Sequence, residues 1–360
     1  MRYRWIIVLT LSLVLGGCGE DSTFYSPPKN PESEPFYAQQ WYLKGSEEFI
    51  QEEGLSPDAH IHPGDLLSRY DGSGVTVAII DGGLDQTHEE LQKIRIVGYD
   101  VATGKEDISP ADSTDYHGTA VTGIIAAQRN GKGIAGIASG AKIVFLKYKR
   151  EMSDGETIAL FEKAEELGAD IVTCCWGTYH VSKAVKDYIV HLAREGRHGK
   201  GTLIVFAAGN DDREMGNDES AIPEVIAVGA SDGTNHRAWY SNFGPNLDIL
   251  APGGDYGLGV TTLDLSGEMG ISTENPDYLL FDDPNAFIAT SPAAAIVSGA
   301  LALLLQKYPE ITREEVERIL HDSADKIGEI PYDERGRNDY YGWGKLNLKR
   351  LFLSAQTLRR

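Results

Sequence analysis

The chain has 360 residues, of which 41% are hydrophobic, and its acidic side chains outnumber its basic ones by 54 to 33. A chain of this length can bury a large core, in one large domain or in two smaller ones. The formal net charge of −21 argues against a nucleic acid partner, because nucleic acids are themselves polyanions. The acidic surplus fits either ordinary solubility or a preference for basic substrates, and we favour solubility.

The first residues predict a targeting segment. Residues 1–17 contain two arginines, a short apolar run and then Gly-Gly before Cys18. The apolar run is too short to cross about 30 Å of hydrocarbon, and the pattern resembles a bacterial lipoprotein signal peptide with Cys18 as the lipidated residue. Residues 18–36 are polar and rich in proline, which favours an extended tether. We therefore expect a protein of the bacterial cell envelope, lipid-anchored outside the cytoplasm.

The rest of the chain alternates short apolar runs, rich in β-branched residues, with helical stretches. The apolar runs are residues 75–80, 143–147, 171–175, 203–207 and 225–229. This alternation predicts a parallel sheet with helices packed on it. The chemical motifs extend from residue 81 to residue 291, so a domain boundary between them would divide the site. We therefore predict one domain over residues 37–355.

Three segments carry the residue types of a nucleophilic triad. Asp81 ends the apolar strand VTVAIID, whereas His117 and Ser291 each begin a stretch of small apolar residues that predicts a helix. Serine becomes a strong nucleophile when a histidine takes its proton, and a buried carboxylate orients that histidine and stabilises its charged form. Asn210 follows the strand TLIVFAAG and offers a side-chain N–H to an oxyanion. The backbone N–H of Ser291, at a helix N-terminus, is the second expected donor.

Two other patterns fit known motifs less well. Residues 229–233 match G-x-S-x-G, but no helical sequence follows them, so we interpret Ser231 as a loop residue. The run VAIIDGG lacks the G-x-G-x-x-G pattern and the downstream acidic residue of a dinucleotide-binding fold.

The motifs IIDGGLDQTHEEL, HGTAVTGIIAA, FAAGN and ATSPAAA, in this order, resemble those of the subtilisin-like serine proteases. The resemblance extends from about Trp41 to about Leu351. It implies an α/β fold, a three-layer α/β/α sandwich with a mainly parallel central sheet. It also implies an endopeptidase that cleaves polypeptides through an acyl-enzyme. The segments PFYAQQWYLKG and GVTTLDLSGEMG are similar to the kexin or proprotein-convertase branch.

Some features depart from the family pattern. Ala289 stands where the family usually has Gly, and its methyl group would restrict the backbone if that position needs dihedral angles closed to alanine. Pro292 is acceptable at the first position of a helix, where its missing N–H has no intrahelical partner to lose. The segment between Cys18 and residue 37 is too short for an inhibitory prodomain, so we expect either unaided folding or a folding or inhibitory partner. The alternative function is a catalytically inactive binding protein on the same fold.

The resemblance also implies where the primary specificity pocket lies. Its walls map onto Cys175, Trp176, Gly177, Ala207, Ala208 and Gly209. Trp176 is either a large apolar wall or a core side chain. In the loop REMGNDESAIP, Asp218 or Glu219 either selects Arg and Lys side chains of a substrate or is simply solvated. The adjacent Cys174 and Cys175 predict two buried thiols, because a disulfide between sequence neighbours is strained.

The stretch AAQRNGKGIAG resembles the family's cation-binding loop. Under this interpretation Asn130 offers a side-chain oxygen, Glu90 offers a carboxylate, and backbone carbonyls come from Gln128, Lys132 and Ile134. Several hard oxygen ligands are what Ca²⁺ requires, so we expect a structural calcium ion. The alternative is an ordinary glycine-rich turn.

Overall fold

The computed structural model describes residues 30–44 and 46–358. The predicted signal peptide, Cys18 and the first part of the predicted tether lie outside the described residues. Seven strands form the central sheet: β1 (Thr76–Asp81), β2 (Ile96–Asp100), β3 (Lys142–Lys147), β4 (Ile171–Cys174), β5 (Leu203–Ala207), β6 (Ile226–Ser231) and β7 (Ile249–Pro252). Their order is β2-β3-β1-β4-β5-β6-β7, and every neighbouring pair is parallel.

The helices cover both faces of this sheet. They are α1 (Trp41–Lys44), α2 (Glu47–Glu52), α3 (Leu66–Arg69), α4 (His117–Ala126), α5 (Asp154–Glu166), α6 (Lys183–Gly199), α7 (Thr290–Lys307), α8 (Arg313–Ser323) and α9 (Leu348–Thr357). A short antiparallel pair, β8 (Thr262–Leu263) with β9 (Tyr278–Leu279), lies outside the main sheet.

Alternate residues of β1 enter different cores. Val77 and Ile79 belong to the apolar cluster that includes α4, α7, α8 and α9, whereas Ala78 and Ile80 pack with α5 and α6. This is the period of two expected for a strand that is buried on both faces. The three-layer α/β/α architecture predicted from the sequence is therefore confirmed.

Helix α7 is the central helix of the larger core. Residues 290–305 are all buried, and α7 packs on α4 and on strands β4 to β7. A helix that is apolar on every side can be accommodated only in such a fully enclosed position. Among the described residues, no helix combines the length and the apolar character needed to cross a membrane.

The sequence pattern missed two strands of the sheet. Both lie at its edges: β2 is half-buried along its whole length, and β7 ends in Pro252. Edge strands need less apolar sequence than central strands, and an edge or a strand end tolerates proline, which cannot donate to the ladder. Their signals are therefore weaker than those of the five central runs.

The described end of the predicted tether packs against the domain. Residues 31–33 form a short 3-10 helix, and Glu34 is only 3% exposed. The Glu34 carboxylate accepts backbone N–H bonds from Gly131 at 2.8 Å and from Lys132 at 3.1 Å, and Phe36 N–H donates to the Gly133 carbonyl at 2.9 Å. An extended tether is therefore not what residues 30–36 form. The glycine-rich turn supplies unpaired N–H groups that a buried carboxylate needs.

Candidate active site

Asp81 and His117 form a directly bonded pair at the carboxyl edge of the sheet. Asp81 is the last residue of β1 and is 1% exposed, and His117 is the first residue of α4. The His117 Nδ1 atom lies 2.9 Å from each Asp81 carboxylate oxygen. The N–H of Gly82 donates a further hydrogen bond to Asp81 Oδ1 at 2.7 Å. Because Asp81 binds Nδ1, the Nε2 atom of His117 is the ring nitrogen available for proton transfer.

The start of α4 lies unusually close to the chain that follows β1. A Cβ atom at Gly118 would come within 2.5 Å of the Gly83 carbonyl oxygen and within 2.6 Å of the Phe145 ring. Glycine after the histidine therefore lets the helix approach the strand that carries Asp81. This explains in physical terms why the motif begins with His-Gly.

The surroundings of His117 raise the pKa of its imidazole. Burial acts to lower this pKa, because it disfavours the charged ring. The charge of Asp81 and its hydrogen bond act in the opposite direction, as does the charge of Asp115, and the net pKa lies above the ordinary value of 6.5. Phe287 packs edge-on against the ring, with centroids 5.4 Å apart.

Ser291 is the second residue of α7 and is 5% exposed. Its backbone N–H belongs to the first turn of the helix, where N–H groups have no intrahelical acceptor. Ala289, which precedes the helix, has φ −176° and ψ −178°, an extended conformation open to any residue. The expected backbone restriction at Ala289 is therefore absent. Pro292 occupies the third helical position rather than the predicted first, and its missing N–H costs no intrahelical bond there either.

The Asn210 side chain is fixed through its oxygen. Asn210 Oδ1 accepts a hydrogen bond from Thr290 N–H at 2.8 Å and another from Thr290 Oγ1 at 3.0 Å. Thr290 Oγ1 also accepts from Gly209 N–H at 3.2 Å, and Gly209 has a φ of +100° that favours glycine. The amide nitrogen of Asn210 has no hydrogen-bond partner among the described residues, and Asn210 and Ser291 line the same cavity.

Among the described residues, no hydrogen bond joins the His117 ring to Ser291 Oγ. Catalytic hydrogen bonds of this kind are often long in the free protein and shorten when substrate binds. The helices that carry these side chains are nevertheless in contact, because α7 packs on α4. His117 and Ser291 therefore lie near the N-termini of two helices, α4 and α7, that pack against each other.

A cavity of about 170 Å³ opens beside Ser291 and Asn210. All six residues predicted for the specificity pocket line it, namely Cys175, Trp176, Gly177, Ala207, Ala208 and Gly209. Trp176 is both a wall and a packed side chain, because its Nε1 donates to the Ile80 carbonyl at 3.0 Å and its ring meets Phe206. A second cavity, of about 680 Å³, lies on the other side of Trp176 and Gly177.

The two acidic candidates of the loop have different positions. Asp218 lines the cavity beside Ser291, and its Oδ1 accepts a hydrogen bond from Ser220 Oγ at 2.7 Å. Glu219 lies behind the cavity and is 1% exposed. Its carboxylate accepts hydrogen bonds from the N–H and the hydroxyl of Thr178, at 3.0 and 2.7 Å. Neither carboxylate is simply solvated, and Asp218 alone of the two lines the cavity.

The adjacent cysteines are both free thiols, as expected. Cys174 is buried and Cys175 is half-buried, and burial raises the pKa of each thiol well above the ordinary value of 9.0. Cys175 Sγ donates to the carbonyl of Ser291 at 3.5 Å. Ser231 is the last residue of β6 rather than a loop residue, and it is fully buried.

The predicted cation loop contains buried oxygen atoms that lack donors. Within the described part of the chain, Asn130 Oδ1 is buried and has no hydrogen-bond partner. Gln39 Oε1, outside this loop in sequence, is likewise buried without one, and the side chain of its neighbour Gln40 accepts from Ala135 N–H. The Glu90 side chain is fully buried and accepts from Asn130 Nδ2 at 3.1 Å. Burial raises the pKa of Glu90 to about 7, a hydrogen bond from Tyr278 opposes this shift, and the charge of Glu34 adds to it.

Some polar atoms in and around the same loop already take part in hydrogen bonds or ion pairs. The carbonyl of Glu90 accepts from Gln128 N–H at 3.0 Å, and Lys132 Nζ pairs with Glu89 at 2.5 Å. The carbonyls of Gln128, Lys132 and Ile134 accept no described hydrogen bond from another side chain or loop. A buried carboxylate that is expensive to ionise, next to an amide oxygen without a donor, fits a hard divalent cation such as Ca²⁺. This fit to a cation rests on the types of oxygen atom that the loop offers.

Sequence spacing gave no indication of a second group of ionisable side chains. Potential ligand atoms of Asp248, Glu317 and His321 lie within 4.8 Å of one another. His321 Nε2 is 2.9 Å from Asp248 Oδ1, and Glu317 pairs with Arg313 at 2.6 Å. Each acidic group thus already has a cationic or donor partner, which fits a network of ion pairs in the fold.

A parallel α/β sheet whose carboxyl edge carries an Asp-His pair, a serine at a helix start and an oriented amide is the arrangement found in serine hydrolases. The chain belongs to the subtilase family: the model described as "Subtilase family" matches residues 72–344.

Individual relatives agree with this assignment. The chain is 32% identical over 339 residues to a "Calcium-dependent protease" of Nostoc sp. (strain PCC 7120 / SAG 25.82 / UTEX 2576), covering 86% of this chain and 50% of that protein. It thus spans about half the length of that relative. It is 28% identical over 293 residues to "Subtilisin E" of Bacillus subtilis (strain 168), covering 78% of this chain and 66% of that protein.

A solved structure agrees on the fold. A crystal structure of the Aeromonas sobria serine protease in complex with a chaperone superposes with a TM-score of 0.77 at 22% identity, covering 90% of this chain and 67% of that chain. At this level of identity, the similarity establishes the shared fold.

Proposed function

We propose that this protein is a serine endopeptidase that cleaves polypeptides through an acyl-enzyme. The observation that carries the proposal is the bonded Asp81–His117 pair, which leaves Nε2 for proton transfer, on a helix that packs against the helix carrying Ser291 near its start. In the first step, His117 takes the Ser291 hydroxyl proton while Oγ attacks the substrate carbonyl carbon. Asp81 holds the ring in the required tautomer and stabilises its charged form.

The Asn210 side chain supplies part of the stabilisation of the tetrahedral intermediate. Its oxygen is bound by Thr290, so its N–H groups are already oriented before substrate arrives and need no reorganisation during the reaction. The Ser291 backbone N–H, at the start of α7, is the second donor. His117 then gives its proton to the leaving amine, and water hydrolyses the acyl-enzyme by the same sequence in reverse.

Hydrolysis of a peptide library by the full-length chain tests the proposal. We expect cleavage products with the wild-type chain and none above background with Ser291→Ala of equal thermal stability. Equal cleavage by both chains would refute the assignment of the nucleophile. Glu224→Ala, which removes an ion pair between the largely buried Glu224 carboxylate and the exposed Arg194, provides the matched control for folding.

The second candidate function is a catalytically inactive binding protein on the same fold. The presence of Ala289, where the family usually has Gly, was the reason to consider this alternative. The backbone of Ala289 is extended and open to any residue, so this reason no longer applies. The intact set of Asp81, His117 and Ser291 supports the enzyme. A folded chain that binds peptides without cleaving them would restore the alternative.

The cavity beside Ser291 supports a preference for basic residues on the acyl side of the cleaved bond. Asp218 places a carboxylate in a cavity that Ala207, Ala208 and Gly209 also line, and one oxygen of this carboxylate has no donor among the described residues. A cationic side chain that enters the cavity would supply that donor. The resemblance to the kexin branch points to the same substrate class.

A structural calcium ion is proposed for the loop around Asn130. Glu90 and the side-chain oxygen of Asn130 would hold it, together with the backbone carbonyls of Gln128, Lys132 and Ile134. When bound, the ion would neutralise the buried Glu90 carboxylate and fix the loop against the segment that carries Glu34. The name of the Nostoc relative, "Calcium-dependent protease", supports this proposal.

We also propose that Cys18 carries a lipid anchor and that the domain acts in the cell envelope, outside the cytoplasm. The Gly-Gly-Cys pattern after a short apolar run supports this location. Detergent partitioning of wild type and Cys18→Ala tests it: the wild type should enter the detergent phase, whereas the variant should remain aqueous. Equal partitioning would refute the lipid anchor.

A folding or inhibitory partner is the remaining proposal. The Aeromonas sobria protease, which shares the fold, was crystallised with a chaperone. Refolding yield of the purified chain, with and without lysate of its own cells, tests whether an added factor is needed.

A further inference from the structure

Glu219 forms a clamp with Thr178 behind the cavity that opens beside Ser291. One carboxylate oxygen accepts the Thr178 backbone N–H at 3.0 Å, and the other accepts the Thr178 hydroxyl at 2.7 Å. Glu219 is only 1% exposed, so both oxygens depend on protein donors rather than on water. From the sequence, this carboxylate was expected either to meet the charge of a substrate or to be solvated.

Each clamp residue is flanked by residues that line the cavity. Gly177 and Tyr179, on either side of Thr178, form one part of the wall, and Asp218 and Ser220, on either side of Glu219, form another. The clamp itself is not part of the lining. It therefore fixes the distance between these two parts of the wall without touching what enters the cavity.

The chain around Thr178 is also held by Trp176, whose Nε1 donates to the Ile80 carbonyl, and by an isolated parallel bridge between His180 and Asn217. Strand β4 ends at Cys174, so the residues that follow have left the sheet ladder. Tyr179 adopts a φ of +61°, which costs free energy for a residue other than glycine and persists only where surroundings impose it. Val181 N–H donates to the Asn217 carbonyl at 2.8 Å, so a further hydrogen bond joins the two segments that the clamp connects.

We propose that Glu219 is a positioning residue that sets the width of the primary substrate pocket by joining these two parts of its wall. This inference rests on the proposed endopeptidase function for its kinetic consequences. Loss of the clamp lets the chain from Gly177 to Tyr179 relax, so a long side chain is held less firmly in the cavity. The triad lies on other elements, and its chemistry is unaffected.

Three variants test the proposal in the full-length chain. Glu219→Ala removes both hydrogen bonds, and Glu219→Gln keeps an acceptor for the N–H and a donor for the hydroxyl while removing the charge. Glu224→Ala, in the same segment, is the matched control. We expect Glu219→Ala to raise KM about tenfold for peptides with Arg or Leu before the cleaved bond, the effect of losing one or two hydrogen bonds.

The other kinetic readouts separate positioning from charge and from folding. The KM for peptides with Ala at that position, kcat, and the rate of fluorophosphonate labelling of Ser291 should stay within about twofold, and Glu219→Gln should restore KM. Equal losses for all substrates in Glu219→Ala would indicate a merely structural role and overturn the proposal. A Gln variant that loses only the Arg substrates would show that the charge acts directly, and would also overturn it.

Hydrogen exchange tests the clamp independently of activity. The amide of Thr178 should exchange faster in Glu219→Ala than in wild type. In Glu224→Ala its exchange rate should equal that of wild type. Unchanged protection in Glu219→Ala would overturn the inference even for an active enzyme. If instead the wild type neither cleaves peptides nor reacts with the fluorophosphonate, while exchange follows the prediction, the proposed function fails and the clamp stands.

Discussion

Asn210 holds the first residue of α7 through two hydrogen bonds, from the N–H and the hydroxyl of Thr290 to its Oδ1. The same contact that orients the amide therefore also fixes the helix start that carries Ser291. The donor and the nucleophile are positioned together rather than separately. Such preorganisation is the main source of rate enhancement at oxyanion sites.

Replacing Asn210 by Ala should lower kcat by about 10²–10³-fold with little change in KM, because the amide acts on the transition state rather than on the bound substrate. Steady-state kinetics on a peptide substrate measures both constants. Asn246→Ala, which removes a surface side chain bonded to the Ala221 carbonyl, is the control and should match wild type. A loss confined to KM would mean that Asn210 binds ground-state substrate instead.

Acid should inactivate the enzyme as His117 becomes protonated. The charged ring cannot take the Ser291 proton, and the pKa of His117 lies above 6.5, so kcat/KM should fall as the pH falls through a value above 6.5. Asp81→Asn removes the charge that raises this pKa. The acid limb should then move to lower pH, while activity falls by about 10⁴-fold because the required tautomer is no longer favoured.

The pH profile of kcat/KM for both chains measures this shift. The burial that remains in Asp81→Asn acts only to lower the pKa of His117, which gives the direction of the movement. An acid limb at the same pH in both chains would assign it to a group other than His117.

Asp218→Asn should abolish the preference for basic residues. We expect kcat/KM for peptides with Arg or Lys before the cleaved bond to fall by about 10- to 100-fold, the value of one charged hydrogen bond, and that for Leu to stay constant. Asp211→Asn is the matched control, because Asp211 also lines the cavity but pairs with Arg213. Equal cleavage after Leu and Arg by wild type would contradict the preference.

Removal of calcium should lower the melting temperature by several degrees, because an ion that binds only the folded chain stabilises it by mass action. Thermal melts in EGTA and in excess Ca²⁺ measure the shift. Asn130→Ala and Glu90→Gln should reduce the difference, whereas Glu89→Gln, which affects a partly exposed neighbour, should not. Identical melts of wild type under both conditions would remove calcium from the account.

The same site predicts the pH dependence of stability without metal. The pKa of Glu90 rises from 4.5 to about 7 in the folded chain, so the folded state binds the extra proton between these values. Without metal, this contribution to stability is fully present below pH 4.5 and is lost as the pH rises through about 7. With Ca²⁺ the direction reverses, because the ion requires the ionised carboxylate.

The positions of Asp81, His117 and Ser291 in the fold were predictable because each residue stands at a boundary that the sequence marks. Asp81 ends an apolar run, and His117 and Ser291 begin stretches of small residues, so one strand end and two helix starts were placed by local pattern alone. The specificity pocket needed the family resemblance, because its walls come from two loops whose meeting is a property of the whole sheet.

Contacts between distant residues could not be predicted. The clamp joins Thr178 to Glu219, and Glu34 joins the predicted tether to the glycine-rich loop around Asn130, across separations of 41 and 97 residues. Neither carboxylate differs from a solvated one in the sequence. The backbone of Ala289 was misjudged for the same reason, since an extended or a restricted conformation there depends on the chain that packs beside it.

Covalent labelling of the full-length chain by a fluorophosphonate probe tests the central claim most directly. Wild type and Ser291→Ala are compared in detergent with Ca²⁺ present, and intact mass detects the adduct. The account predicts one adduct on wild type and none on the variant. A folded wild-type chain that takes up no probe, or a variant that is labelled equally, would contradict it.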